Sequence, residues 1–277
     1  MRTQAGLWHT ARGEARRAVW SADLKISVIT VCYNSQATIR GAVDSFLAQD
    51  YPDKELLIID GASTDDTLKI IAACQDPAVR LVSAPDKGAY DAMNKGLALF
   101  GGEAVGFLNS DDEFHDNRAL SRLADVLAGA DIVYGDLHMV ADHRTKALVR
   151  DWKAGKFGPR AFQRGWMPPH PTFYMRRIVA ERVGGFDLSY PLAADYDLML
   201  RAMSSAEFRV GYVPQVIADF QMGGMSTRDL RATLQGNLEC LRSRRTHLSA
   251  PPVDAAFFLR PLIRLFQLRR VDRYWAR

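Results

Sequence analysis

The sequence predicts an α/β fold: a mostly parallel sheet flanked by helices, with more helix toward the C-terminal end. Three observations carry that expectation. Short β-branched runs alternate with segments of helical periodicity through the first half, the pattern of a parallel sheet covered on both faces. The chain has 277 residues and is 48% hydrophobic, enough to bury a substantial core as one large domain or two small ones. Polar residues gather at the ends of several runs, the edge where such sheets bind ligands.

Residues 25–34, KISVITVCYN, read as the first strand because β-branched residues dominate them. In the helix that follows, Ile39, Val43, Phe46 and Leu47 recur at helical spacing. ELLIID (55–60) is the second strand, and Ser63 with Asp66 offers a capping-box-like start to a helix through Ile70 and Ile71. VRLVS (79–83) is the third strand, and DKGAYDAMNKGLALF (86–100) a loop entering a helix. AVGFLN (104–109) is the fourth strand, residues 117–128 the fourth helix and DIVYGDL (131–137) the fifth strand. From about residue 150 the alternation breaks down. GWMPPHPTFYMRR (165–177), rich in proline and aromatics, reads as a loop entering a strand at Thr172–Met175. Residues 183–203 run from a glycine turn through a loop into a helix with Leu198, Met199 and Ala202 on its apolar face.

Composition removes several function classes. Charged content of 25% is ordinary for a globular enzyme, and no stretch approaches the ~20 apolar residues of a membrane span. The basic N-terminus, MRTQAGLWHTARGEARRAVW, lacks the continuous apolar core of a signal peptide and is expected to be an extension. Cys32, Cys74 and Cys240 are odd in number and widely spaced, the usage of reduced thiols in a cytoplasmic setting. Residues 242–277 hold nine arginines against Asp254 and Asp272, a local +7, so the remaining 241 residues sum to 4 − 7 = −3. A net acidic body disfavours nucleic acid as a partner.

No G-x-G-x-x-G follows the first strand, which argues against a nicotinamide enzyme, and the P-loop is missing too. What stands at the strand ends instead is Tyr33-Asn34, Asp60 and the run Asn109 to Asp112. Adjacent carboxylates at Asp111 and Asp112 repel unless something positive sits beside them; a plain turn is the alternative. Asp195 and Asp197 fall in the first turn of the last predicted helix, where the helix dipole favours carboxylates, and Asp195 also reads as an N-cap.

Five ordered motifs, VITVCYN, LLIIDGASTDDT, PDKGAYDAMNKG, FLNSDDEF and AADYDLMLR, together resemble a family 2 glycosyltransferase over about residues 25–225. The likeness is strongest to small, non-processive bacterial members of polysaccharide and glycolipid biosynthesis. It implies the GT-A fold: a mixed, mostly parallel sheet with a Rossmann-like nucleotide-binding half and an acceptor-binding half. By the same resemblance Asp112 is the direct ligand of Mn2+ or Mg2+ and Asp111 reaches the ribose while belonging to the same metal motif. Hard carboxylate oxygens suit such cations, whose coordination substrate phosphates complete. Asp60 takes the place of the nucleobase-binding aspartate, Tyr33 packs near it, and Thr30 and Val31 line that pocket. Asp86, Lys87, Asp91 and Asn94 become donor-binding candidates, with Lys87 and Asp91 equally readable as solvated helix charges.

Asp195 aligns with the catalytic base, and Ala194 stands where the family's acidic pair usually has its first acid. His170, Tyr196 and Asp197 are candidates for the acceptor or sugar, with a buried structural histidine as the other reading of His170. Many relatives complete the metal site with a histidine near ADFQMGGMS (218–226), where this chain offers Asp219, Gln221 or no third ligand. No Q-x-x-R-W motif is present, so transfer of one sugar is expected rather than processive synthesis. The implied reaction is an inverting hexosyl transfer from a nucleotide-diphosphate sugar, UDP-sugars being the commonest donors, to a hydroxyl of a lipid-linked or glycolipid acceptor. A nucleotidyltransferase is the alternative enzyme, and a module binding membrane or nucleic acid through its basic tail the non-enzyme alternative.

The expected organisation is an extension (1–24), a donor-binding half (25–136), an acceptor and catalytic-base half (137–227) and a helical basic tail (228–277). In residues 254–273, Arg260, Arg264 and Gln267 share one helical face, with Phe258, Leu262 and Leu265 roughly opposite. Such a segment either lies on the inner face of the cell membrane as a peripheral contact or packs on the domain.

Overall fold

The computed structural model describes residues 24–222, 230–251 and 254–259. Four parallel strands build its first half: β1 (Ile26–Cys32), β2 (Lys54–Asp60), β3 (Val79–Ser83) and β4 (Ala104–Phe107). Between them come α1 (Ile39–Leu47), α2 (Thr67–Ala72) and α3 (Ala89–Leu99). The second half holds β5 (Asp112–Phe114), α4 (Ala119–Leu127), β6 (Ile132–Val140), β7 (Leu148–Trp152), β8 (Tyr174–Arg176) and α5 (Arg177–Val183). After these come α6 (Ala194–Ser204), β9 (Val210–Gln221) and α7 (Leu230–Leu248). The strands form one sheet in the order β3-β2-β1-β4-β8-β6-β9-β5, with β7 added to β6.

The period-2 alternation of the strands sorts side chains onto two faces. Ile29, Val31, Leu57, Ile59, Val105 and Phe107 face a core closed by α3, α5 and α6. Ile26, Val28, Leu56, Ile58 and Leu108 face the other, closed by α1, α2 and α4. At Gly106 an added Cβ would lie 2.4 Å from the Tyr174 ring, so glycine permits β8 to pair antiparallel with β4. That pairing turns a parallel sheet into a mixed one. β6 crosses the junction expected between the two halves at residues 136 and 137, so one strand joins them.

The second half departs most from the sequence expectations. β5, β7, α5 and β9 were not foreseen, α7 falls in the segment expected to be helical, and β9 is the longest strand described. The start of α2 also differs: Asp66 makes no side-chain cap, and Asp65 accepts the Thr67 N–H at 3.0 Å instead. Of the basic tail, residues 260–273 lie outside the described residues.

Candidate active site

The loops leaving β1, β2 and β4 are knitted together at the carboxyl edge of the sheet. Asn34 donates its N–H to Ser63 Oγ at 2.8 Å and accepts the Thr64 N–H at 2.9 Å. Ser35 and Ser110 share a hydroxyl–hydroxyl hydrogen bond of 3.0 Å. Asn34 and Ala62 both sit at positive φ, 49° and 64°, and for alanine that conformation is uncommon and held by its surroundings. Gly61 marks a cradle: a Cβ there would lie 2.6 Å from Asp86 Oδ2 and 3.4 Å from Tyr33 Cδ2. Tyr33 is 62% exposed. An exposed aromatic ring beside a carboxylate, across a floor that admits no side chain, can take a flat polar ring such as a nucleobase.

Asp60 lies beneath this cradle with no exposed surface. Its oxygens accept the Ser63 N–H at 3.0 Å, the Ser83 hydroxyl at 2.6 Å and the Ser63 hydroxyl. Burial pushes its carboxyl up, but the hydrogen bonds of Ser63 and Ser83 outweigh that and hold it below the usual carboxylate range. Asp60 thus shapes the 61–65 loop and presents no open oxygen. Thr30 is likewise internal, donating to the Leu108 carbonyl at 2.6 Å, and Val31 is a core residue.

The segment entering α3 divides in the same way. Asp86 accepts the Gly88 N–H at 2.8 Å, and Lys87 is exposed. Asp91 accepts the Lys87 N–H at 3.1 Å across the first turn of α3, and Asn94 makes paired hydrogen bonds to the Phe186 backbone at 2.8 and 2.9 Å. Asn94 is engaged by the Phe186 backbone on both ends of its amide, whereas Asp91 holds the start of α3 through one oxygen.

The adjacent carboxylates differ sharply. Asp112 opens β5 and has no exposed surface; Asn109 Nδ2 donates to its Oδ2 at 3.1 Å, and its Oδ1 is buried without a partner. Asp111 stands half-buried at the surface, its carbonyl accepting from His143 Nε2 at 2.8 Å. Burial pushes both carboxyls up, Asp112 further because the charge of Asp111 adds to it. A buried oxygen lacking a donor, behind a carboxylate at the surface, fits a divalent cation held by both. Asp111 is the more accessible of the two, and Asp112 is the one with an unpartnered oxygen.

Asp195, in the first turn of α6, is half-buried and accepts the Tyr90 hydroxyl on Oδ1 at 3.1 Å. His170 lies close by, stacked on Phe107 at 5.2 Å between centroids. Burial keeps His170 neutral against the pull of Asp195, and its Nε2 is buried without a partner. Phe107 ends β4, so this stack sets Asp195 near the strand that leads into Asn109–Asp112. Tyr90 was missed in the sequence, although it sits inside a singled-out motif. Tyr196 and Asp197, expected as acceptor contacts, are buried and turned toward α7. Arg244 donates to the Tyr196 hydroxyl at 3.0 Å, and Asp197 accepts from Arg201 at 2.7 Å, Ser243 at 2.8 Å and His247 at 3.0 Å. Asp219, one of the open choices for a third metal ligand, is already engaged by His115 and Lys146.

A curled mixed sheet with an aromatic–carboxylate cradle, paired aspartates after β4 and a carboxylate on the following half is the architecture of a GT-A nucleotide-sugar enzyme. The glycosyl transferase family 2 model matches residues 27–183, and the chain belongs to that family. It is 30% identical to the PGL/p-HBAD biosynthesis glycosyltransferase of Mycobacterium bovis (strain BCG / Pasteur 1173P2) over 207 residues, 72% of this chain and 78% of the relative. Its fold is similar to that of Staphylococcus aureus TarS 1–349 in complex with UDP-GlcNAc, with a TM-score of 0.62, 18% identity, and coverage of 84% of this chain and 69% of that one. It is also similar to the mannosyltransferase PcManGT of Pyrobaculum calidifontis in complex with GDP-Man and Mn2+, with a TM-score of 0.61, 21% identity, and coverage of 84% and 67%.

Proposed function

We propose that the protein transfers one hexosyl unit, with inversion, from a nucleotide-diphosphate sugar to a hydroxyl of a lipid-linked saccharide or glycolipid, with Asp195 as the base. The observation that carries this reading is the placement of Asp195. Tyr90 donates its hydroxyl to Asp195 Oδ1, and His170, which feels the Asp195 charge, stacks on Phe107 at the end of the strand that leads to Asp111 and Asp112. Tyr33 and Asp86 flank the base and ribose across Gly61, and Asp60 orders the loop beneath them. Asp111 and Asp112 hold Mn2+ or Mg2+, and the bound ion supplies neutralisation of the departing diphosphate. The TarS and PcManGT complexes, with UDP-GlcNAc and with GDP-Man and Mn2+, support this choice of donor and metal.

Asp195 Oδ1 is taken by Tyr90, so Oδ2 accepts the proton of the acceptor hydroxyl. As that oxygen bonds to the anomeric carbon, the bond to the phosphate oxygen breaks and the nucleoside diphosphate leaves with the electron pair. No second carboxylate nucleophile is needed for a single displacement. The acceptor end faces the membrane, a reading supported by the exposed Leu234, Leu238 and Phe258 close in sequence to the arginine-rich residues 242–277. No helix among the described residues is long and apolar enough to cross a membrane, so the contact would be peripheral.

Calorimetry with a panel of nucleotide-diphosphate sugars, in Mn2+, Mg2+ or EDTA, tests the reading. One donor binds only with metal, and Asp111→Asn and Asp112→Asn lose the metal response. Because burial raises both carboxyls, ion binding must displace protons, so affinity climbs as pH rises out of the acid range. Donor binding indifferent to EDTA would overturn the role given to the aspartate pair.

A further inference from the structure

We propose a second metal site, for a divalent transition metal of the Zn2+ class, formed by His115, His138 and Asp219. Each offers a ligand atom, and the three atoms lie within 4.8 Å of one another. The site arises from sheet register rather than sequence proximity. β9 pairs parallel with β6, setting Asp219 opposite His138, and antiparallel with β5, setting Asp219 opposite Glu113. His115, two residues past Glu113, reaches back so that its Nδ1 stands 2.7 Å from Asp219 Oδ1. His138 Nδ1 approaches the same oxygen at 3.8 Å, and the two imidazoles meet edge to face at 4.9 Å.

Two features point to a metal rather than a plain histidine–aspartate pair. The first is the approach of two imidazoles to one carboxylate oxygen of a residue only 1% exposed. The second is Asp151, whose Oδ1 stands 3.5 Å from His138 Nε2 and 3.3 Å from Lys153 Nζ. A carboxylate on the far nitrogen of an imidazole is the usual outer support of a metal-bound histidine, fixing its tautomer and raising its basicity.

Two imidazole nitrogens and one carboxylate oxygen suit Zn2+, Ni2+ or Cu2+ better than Mg2+, and three protein ligands leave a fourth position for water. Lys146, 3.4 Å from Asp219 Oδ2 and 51% exposed, balances the buried carboxylate without the ion and can swing into solvent when one enters. Asp219 stands opposite Glu113, the neighbour of Asp112 in β5, and the two imidazoles that join it, His115 and His138, are not part of the Asp111–Asp112 pair. A metal here would tie β5, β6 and β9 together, and β5 begins at Asp112. The proposal does not rest on the glycosyl-transfer reading.

Untagged full-length protein, stripped with chelator, would be titrated with Co2+ and followed by visible absorption. The expected result is a low-symmetry Co2+ spectrum saturating at one equivalent, displaced by Zn2+ and untouched by Mg2+. It is retained in Asp111→Asn and lost in the His115→Gln/His138→Gln double variant, with the apo melting curve as the check on folding. Should the double variant fail to fold, Asp151→Asn decides: Co2+ affinity weaker by about 10–100-fold supports the site, and unchanged affinity overturns it. A spectrum no different from aqueous Co2+, or one that persists in the folded double variant, also overturns it.

Discussion

Asp195 and Asp197 stand two residues apart in the first turn of α6 and are used in opposite ways. Asp195 faces the open cluster with Tyr90 on one oxygen and His170 nearby. Asp197 faces α7 and is surrounded by donors from Arg201, Ser243 and His247. The same helix face continues the second pattern: Tyr196 accepts from Arg244, which also pairs with Asp254 at 2.5 and 2.8 Å. A carboxylate saturated with donors holds helices together; one left with a spare oxygen can take a proton. The difference separates chemistry from scaffolding more clearly than residue type does.

The comparison can be broken from either side. The largest effect is expected at Asp195→Ala: transfer falls by about 10²- to 10⁴-fold, the usual contribution of a positioned base, while donor binding and the melting temperature stay near wild type. Wild-type-like turnover with an authentic acceptor would remove Asp195 from the mechanism. Asp197→Ala should do the reverse. Removing it leaves Arg201 with only the Val183 and Gly185 carbonyls and unpairs Ser243 and His247, at a cost of about 1–3 kcal/mol read by denaturant unfolding, with turnover per folded molecule largely kept. The smallest and sharpest effect is Tyr90→Phe. Losing one hydrogen bond to the ionised base should lower kcat about tenfold, the scale of a hydrogen bond to a charged group. Turnover equal to wild type in this variant would make Tyr90 a packing residue only.

Much of the first half is legible in the sequence because local pattern and final environment agree there. β1 and β2 are apolar runs buried over most of their length, β3 is a short edge strand, and the ends of all three fall within a residue or two of expectation. β9 is harder to see: VGYVPQVIADFQ carries Gly211, Pro214 and exposed Gln215, and only its pairing with both β6 and β5 makes it a strand. β5 has three residues, too short for any periodicity. The site shows the same limit. Tyr33, Asp111, His170 and Asp195 are found where chemistry at a strand edge or helix start is expected. Asp60, Asn94, Tyr196 and Asp197 have the right chemical type, but partners that the fold brings in, some from across the chain and some from nearby, engage them. His115, His138 and Asp219 lie apart in sequence and converge only through strand register.

The clasp between α6 and α7 also has a consequence for how the molecule is made. α6 is complete at Ser204, whereas Ser243 and His247, which hold it through Asp197, emerge about forty residues later. At ~5–20 residues per second that gap is about 2–8 s of translation. During it the helix bearing Asp195 exists without its C-terminal fastening. The nascent chain therefore has β1 to β4 complete well before α6 is fastened to α7, and a ribosome stalled in that interval would display a half-assembled core.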